Sequence, residues 1–438
     1  MSKKISYHGF SAAVVLIALV VSTIGQVAGT AVASPTPEFT QVRRDTFEKV
    51  WNTINDKHYD PTFNGVDWNK VRDDYLPRAQ AAKSDEDFHN VLRRMLAELK
   101  LSHFNIFPPP PAIGEPESNG SVGIDVIWLE DVPVIERIDK DSSAERASLK
   151  PGYVIKSIDG KPIAELLKPV IDSLEKRTMS DGMRYLYLER TVEAMLAGKA
   201  GSVVSVELTN EKNSLVKAEL SRVQFAGEMS QPVGNFPKQE VRFESRLLPG
   251  NIGYIRFNMW VIPQAAKIRA AIKEFAKADG IIFDIRGNPG GIGGLAGGVA
   301  GQISDKQISL GTMTSRSGVM TLFGYPQVEP FLGKIAVLTD HGSASTSEMF
   351  AAGIQESGRG KIVGETSAGA ILLSVFDKLP TGWMFQYAIS DYKSPNNILI
   401  EGRGVVPDIK VAVTRASLLE GRDLQLEAAV RSISSNNK

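Results

Sequence analysis

The chain has 438 residues, 42% of them hydrophobic and 23% charged, with 50 basic against 50 acidic side chains. That length asks for two or three globular domains, and the charge balance leaves no basic surplus for nucleic acid and no acidic tail. No cysteine is present and the five histidines form no HExxH pair, which removes disulfides, thiolate chemistry, a lipid-anchor cysteine and the usual zinc hydrolase, so no metal or cofactor is expected.

Residues 1–33 have the layout of an export signal. "MSKK" is basic, "FSAAVVLIALVVSTIG" is apolar, and Ala31 and Ala33 before Ser34 supply a small-residue cleavage site. The apolar run is shorter than the ~20 residues a spanning helix needs, so the mature chain is expected to be exported, periplasmic or secreted, with no stable membrane anchor. Residues 41–107 read as a helical domain. Phe47, Val50, Trp51 and Ile54 recur at i, i+3, i+4, i+7, and Ser84 with Asp87 opens a second amphipathic run. The proline run in "FPPPPAIGEP" ends it. Residues 118–225 alternate short apolar runs with Pro-Gly and Asp-Gly turns, and carry a helical stretch over 164–200. Over 240–415, buried strands alternate with helices, as in a sheet covered on both faces. Residues 416–438 read as a polar tail, a surface helix and a frayed end.

Four stretches could carry chemistry. "HGSASTSE" places Ser343, Ser345 and Ser347 at a strand-to-helix junction beside His341. A serine needs a base to act as a nucleophile, and the same hydroxyls could equally cap the helix. The glycines of "DIRGNPGGIGG" can point several N–H groups at one spot, as in an oxyanion hole, or simply form a flexible turn. Ser102-His103 ends a helical run, where the histidine is a general base or a surface residue. Glu401 in "NILIEGRGVVPDI" sits at a turn, where a glutamate is normally solvated.

Together and in this order, these stretches resemble the C-terminal-processing (tail-specific) serine peptidases and their tricorn-core relatives. "DIRGNPGG" is similar to the family's D-x-R-x-N-x-G-G, "SASTSE" to its S-A-S-A-S-E, and "EGRGVVPDI" to its E-x-x-G-V-x-P-D. The resemblance implies a multidomain α+β chain: an N-terminal helical domain, a PDZ-like domain and a ClpP/crotonase-like α/β catalytic domain acting on protein or peptide substrates. It makes Ser345 the nucleophile. The lysine base of the processing branch would fall 25 residues on, where this chain has Ala370. The tricorn-like branch uses a histidine, which implies His103 as base, with Ser102 and Glu401 behind it and His341 as the rival. The oxyanion hole would be the N–H of Thr346 with that of Gly290 or Gly291. "DSSAERASLKPGYVIKSIDGKPI" resembles the PDZ pattern, with Val122, Gly123, Ile124 and Asp125 at the carboxylate-binding loop. Tyr153 replaces a common acidic residue there, and the 164–200 helices interrupt the usual layout. Two other readings stay open: a catalytically silent peptide-binding scaffold, and a peptidase with a different lysine base.

Overall fold

The computed structural model describes residues 16–18, 39–108, 120–175 and 179–435. The segment expected to be an export signal lies outside these residues apart from the backbone of one strand, β1 (Leu16–Ala18). Among the described residues no helix is long and apolar enough to cross a membrane.

Three helices, α1 (Gln41–Lys57), α2 (Trp68–Gln80) and α3 (Asp85–Ala97), form the N-terminal part. Ser84 caps α3 by accepting the Asp87 N–H at 3.0 Å, as the sequence pattern requires. Phe47, Val50, Ile54, Phe88, Leu92 and Leu96 bury one shared face. A short strand, β2 (Asn105–Phe107), follows.

The middle unit is an antiparallel sheet whose main path runs through five strands, β3 (Ile124–Leu129), β4 (Val132–Ile138), β5 (Val154–Ile158), β6 (Val203–Thr209) and β7 (Leu215–Ser221), in that spatial order. Two helices, α4 (Ile163–Leu174) and α5 (Asp181–Leu196), sit between β5 and β6 in the chain. β3 is an edge strand, yet its outward N–H groups are taken. Val126 N–H donates to Glu193 and Trp128 N–H to Glu189, both on α5, at 3.1 and 2.7 Å. An edge covered in this way cannot pair with another chain.

The third unit is built on β8 (Phe243–Leu248), β9 (Ile252–Phe257), β10 (Gly280–Asp284), β12 (Lys334–Thr339), β13 (Lys361–Gly364) and β16 (Ile409–Lys410). From β9 onward the pairs are parallel, with Gly280 opposite Lys334 and Asp284 opposite Leu338. Parallel strands are buried on both faces, and every residue of β10 is buried. Ile281, Phe283, Ile335 and Val337 pack under α6 (Ile262–Glu274), α7 (Gly293–Gln302) and α8 (Thr346–Glu356). Ile282, Ala336 and Leu338 point the other way, onto Ala428, Ala429 and Ile433 of α9 (Leu424–Ser434). The segment expected as a polar tail is thus the cover of one sheet face, because the alternating apolar residues of buried strands demand a partner on each side.

A further sheet runs β11 (Gly290–Ile292), β1, β14 (Leu373–Lys378), β15 (Met384–Ser390) and β2. It joins the N-terminal helices to the third unit: Phe385 and Tyr387 of β15 belong to the helices' apolar core.

Candidate active site

The turn that carries the candidate nucleophile is fixed by where β12 ends and α8 begins. Ser343 Oγ donates to Ile285 O at 2.8 Å, and Ser347 Oγ donates to Asn288 O at 3.0 Å while accepting from the Trp260 indole at 2.9 Å. Both hydroxyls are structural. Ser345 stands at the N-cap position of α8, and its Oγ is buried without a hydrogen-bond partner. Ser345 also adopts φ 62° and ψ −119°, a conformation that costs on the order of 1–3 kcal/mol and persists only where neighbours enforce it. Glu348, fully buried, is one such neighbour. Its carboxyl accepts the N–H of Ser345 at 2.9 Å, of Gly369 at 2.7 Å and of Ala370 at 3.0 Å, and the Ser367 hydroxyl at 2.6 Å. Burial pushes this carboxyl up to about 7 against the pull of those donors.

The glycine-rich loop wraps the same turn. Asp284 is fully buried and held well below the usual carboxylate range by Arg256 and Arg286, which outweigh its desolvation. Arg286 reaches from it to Asp423, just before α9. Asn288 Nδ2 donates to Phe257 O, and Asn288 O accepts the Ala344 N–H at 3.1 Å. Gly290, at φ 102°, lies so close that a Cβ there would be 2.6 Å from Ser345 Cβ and 2.9 Å from its Oγ. The Gly290 N–H is already donated to Asn288 Oδ1 at 3.0 Å, which removes one of the two glycines expected as oxyanion donors. Thr346 is the first residue of α8, so its N–H has no intrahelical partner.

His103 lies between α3 and β2, at φ 62°. Its Nδ1 is 2.6 Å from Ser102 Oγ, and Ser102 Oγ donates to Glu401 Oε2 at 2.9 Å. The hydroxyl has one proton and spends it on Glu401, so it accepts from His103 Nδ1–H. Nε2 is therefore the bare, basic nitrogen. It is buried and, like Ser345 Oγ, has no hydrogen-bond partner. Burial lowers the imidazole to about 3, keeping it neutral at any ordinary pH. Glu401 also accepts the N–H of Ser102 at 2.7 Å and of Ile371 at 3.0 Å, and its burial raises it. Ile371 directly follows Ala370 in the slot a lysine base would fill. Ala370 itself is packed against Ala344 and Ala368.

The other expected residues fare differently. His341 is not near-neutral: Glu189 holds it at 2.8 Å and Glu365 at 3.3 Å, and these carboxyl groups overcome burial and raise it well above its ordinary value. A protonated, doubly paired imidazole is no base. Lys361 and Lys378 are both exposed. In the loop before β3, the Gly123 N–H is donated to Ser121 Oγ at 2.9 Å, Gly123 O accepts Asp139 N–H, Val122 O accepts Ala144 N–H, and Asp125 is paired with Arg137. With Val126 and Trp128 also engaged, the edge next to Ile124 is closed to a peptide. A polar cavity of about 550 Å3 lies between this unit and the third, with Asp125, Arg137, Arg242, Arg256, His341 and Gly342 among its lining residues.

Sequence reasoning missed Glu348 and Glu189. A signal for Glu348 exists, since Ser345 and Glu348 have the S-x-x-E spacing of a capping box. None exists for Glu189, which reaches His341 across 152 positions.

Residues 251–411 match the model of peptidase family S41, and residues 39–97 match the tricorn protease C1 domain. A carboxyl-terminal-processing protease of Picosynechococcus sp. is 25% identical over 402 residues, covering 88% of this chain and 88% of that protein. The chloroplastic C-terminal processing peptidase of Tetradesmus obliquus is 24% identical over 384 residues, covering 83% and 76%. Two solved structures share the fold. The photosystem II D1 C-terminal processing protease matches with TM-score 0.58 at 24% identity, over 91% of this chain and 98% of that one. Mature CPAF matches with TM-score 0.61 at 13% identity, over 90% and 97%. The chain is a serine-type peptidase whose residues 251–411 match peptidase family S41, and it is similar over most of its length to carboxyl-terminal-processing proteases.

Proposed function

We propose that this peptidase cleaves peptide bonds through an acyl-enzyme on Ser345, with His103 as base and Ser102 and Glu401 as its relay. The observation that carries the reading is a pair of buried atoms without partners, Ser345 Oγ and His103 Nε2, with the histidine's other nitrogen tied through Ser102 to Glu401. His103 Nε2 takes the proton as Oγ attacks the scissile carbonyl carbon. The oxyanion forms against the N–H of Thr346 and that of Gly291, the glycine not bonded to Asn288; one such donor is worth ~3 kcal/mol. His103 returns the proton to the leaving amine, and water then releases the acyl group by the same relay.

The substrate is expected to lie extended along β11, where β1 now pairs antiparallel with Ala18 opposite Gly290 and Leu16 opposite Ile292. We infer that residues 1–33 are an export signal, so its removal frees that edge. The helical part, the middle unit and the third unit correspond to an N-terminal domain, a PDZ-like domain and the catalytic domain, with α9 assigned to the last.

A fluorophosphonate probe tests the assignment. Wild type is expected to label, and Ser345→Ala to lose all labelling. His103→Ala is expected to lower kcat/KM about 10²–10⁴-fold, the range for loss of a general base. Labelling that survives Ser345→Ala, or full activity in His103→Ala, would reject the reading. The silent-scaffold alternative predicts no labelling of wild type. The lysine alternative is weakened by the exposure of Lys361 and Lys378.

A further inference from the structure

The nucleophile turn is held from within by Glu348 and by Asp340, whose Oδ1 accepts the N–H of Gly287 at 2.8 Å and of Gly342 at 2.9 Å. From the side of the middle unit it is held through His341. Glu189 of α5 accepts His341 Nε2–H at 2.8 and 3.0 Å with its two oxygens, and the same Oε1 accepts the Trp128 N–H of β3 at 2.7 Å. Both side chains are buried, at 10% and 6% exposure. α5 is fitted to this contact along its length. A Cβ on Gly182 would lie 3.0 Å from His341 Cβ, the Tyr185 ring stands edge-on to the imidazole at 6.2 Å, and Arg190 Nη2 reaches Gly287 O at 3.4 Å.

We propose that Glu189 is a positioning residue for Ser345, acting through His341. The middle unit pins the strained nucleophile turn by one buried ion pair, and the carboxyl that does so is the one that closes the β3 edge. This rests on Ser345 being the nucleophile. The physical argument is that a residue at φ 62° keeps that conformation only while its surroundings over-determine it. His341 lies four positions before Ser345, and a buried charge pair resists displacement because losing one member strands the other. The groups facing the imidazole are Glu189 and Tyr185 on α5, Glu365 after β13, and Asp340 on its own turn. These carboxyl groups keep His341 protonated at neutral pH, so the pin is present there and is lost as pH rises through the raised value.

The test is the rate of fluorophosphonate labelling of the full chain as a function of pH, for wild type, Glu189→Gln, His341→Gln, the double variant and Val204→Ala. Val204 is buried in the middle unit's core, so its truncation loosens that unit without touching the pin. Each single pin variant is expected to label about tenfold more slowly, with the double no slower than either, as for two residues acting through one contact. Val204→Ala is expected to label within about twofold of wild type, the additivity error for an independent site. Wild type is expected to lose rate on the alkaline side, and His341→Gln to lack that fall. Wild-type rates in Glu189→Gln, or an equal slowing in Val204→Ala, would overturn the proposal. Should Glu189→Gln fail to fold, an alkaline fall that persists in His341→Gln overturns it. Failure of the nucleophile assignment is read separately, as labelling retained in Ser345→Ala.

Discussion

Two single residues carry the sharpest expectations. Gly290 sits at φ 102° with its missing side chain pointing at Ser345. Gly290→Ala should therefore abolish fluorophosphonate labelling, and circular dichroism should still show a folded chain, because the clash is local to the nucleophile. His103 changes what a pH profile should look like. A histidine base ordinarily gives an acid limb near ~6.5, but burial lowers this one to about 3, so the acid limb of kcat/KM should fall well below the usual histidine range. The same shift bears on stability. The folded imidazole resists a proton that the unfolded chain accepts, so its contribution is full above ~6.5 and is lost as pH falls toward about 3. His89, lowered to about 4 by burial, acts in the same direction. Thermal melts from pH 7 to 4 should show a smaller loss for His103→Gln than for wild type. Sequence named His103 through its neighbour Ser102 and a family pattern. It could not name its protonation state, since desolvation depends on what packs around the ring.

At the scale of elements, the strands and helices of the third unit were legible because continuous apolar strands between amphipathic helices have one stable arrangement, a covered parallel sheet. α9 was misjudged for a physical reason. Its fully buried face rests mostly on small residues, Ala428 and Ala429, with Ile433 as the large buried side chain and Leu426 and Val430 only partly covered. Ile433 packs on the sheet face opposite α8, and Ile433→Ala should cost ~2–5 kcal/mol of unfolding free energy, the range for a buried large-to-small change. Denaturant titration checks this, and a change below ~0.5 kcal/mol, the level of a surface substitution, would return α9 to the status of a tail. The edge of β3 is the complementary case. The PDZ-like pattern of glycine and apolar residues is present in the sequence, but the carboxyl groups that occupy the edge come from α5, more than sixty positions later.

Across the whole molecule the proposed site is an assembly of distant parts. Ser102 and His103 belong to the end of the helical part, Ser345 to the third unit and Glu401 to a late loop, with 299 positions between Ser102 and Glu401. Phe385 of β15, fully buried in the helices' core, is one of the residues that fastens these parts together. Phe385→Ala should cost ~3–5 kcal/mol and should lower kcat more than it raises KM, because it loosens the base relative to the nucleophile. An unchanged kcat at saturating peptide would show that the helical part is held by other contacts. The sequence by itself determined the covered sheet, the helical lead and the absence of a lysine at Ala370, because each depends on local pattern, and it pointed to Ser345 only through a family resemblance. Only the tertiary structure decided that Ser345 Oγ and His103 Nε2 are both buried without a partner, that Gly290 has spent its N–H, that Glu189 holds His341, and that the Val126 and Trp128 N–H groups of β3 are taken. Each of these depends on which hydrogen bonds and charges meet across long separations in the chain, and no spacing in the sequence encodes them.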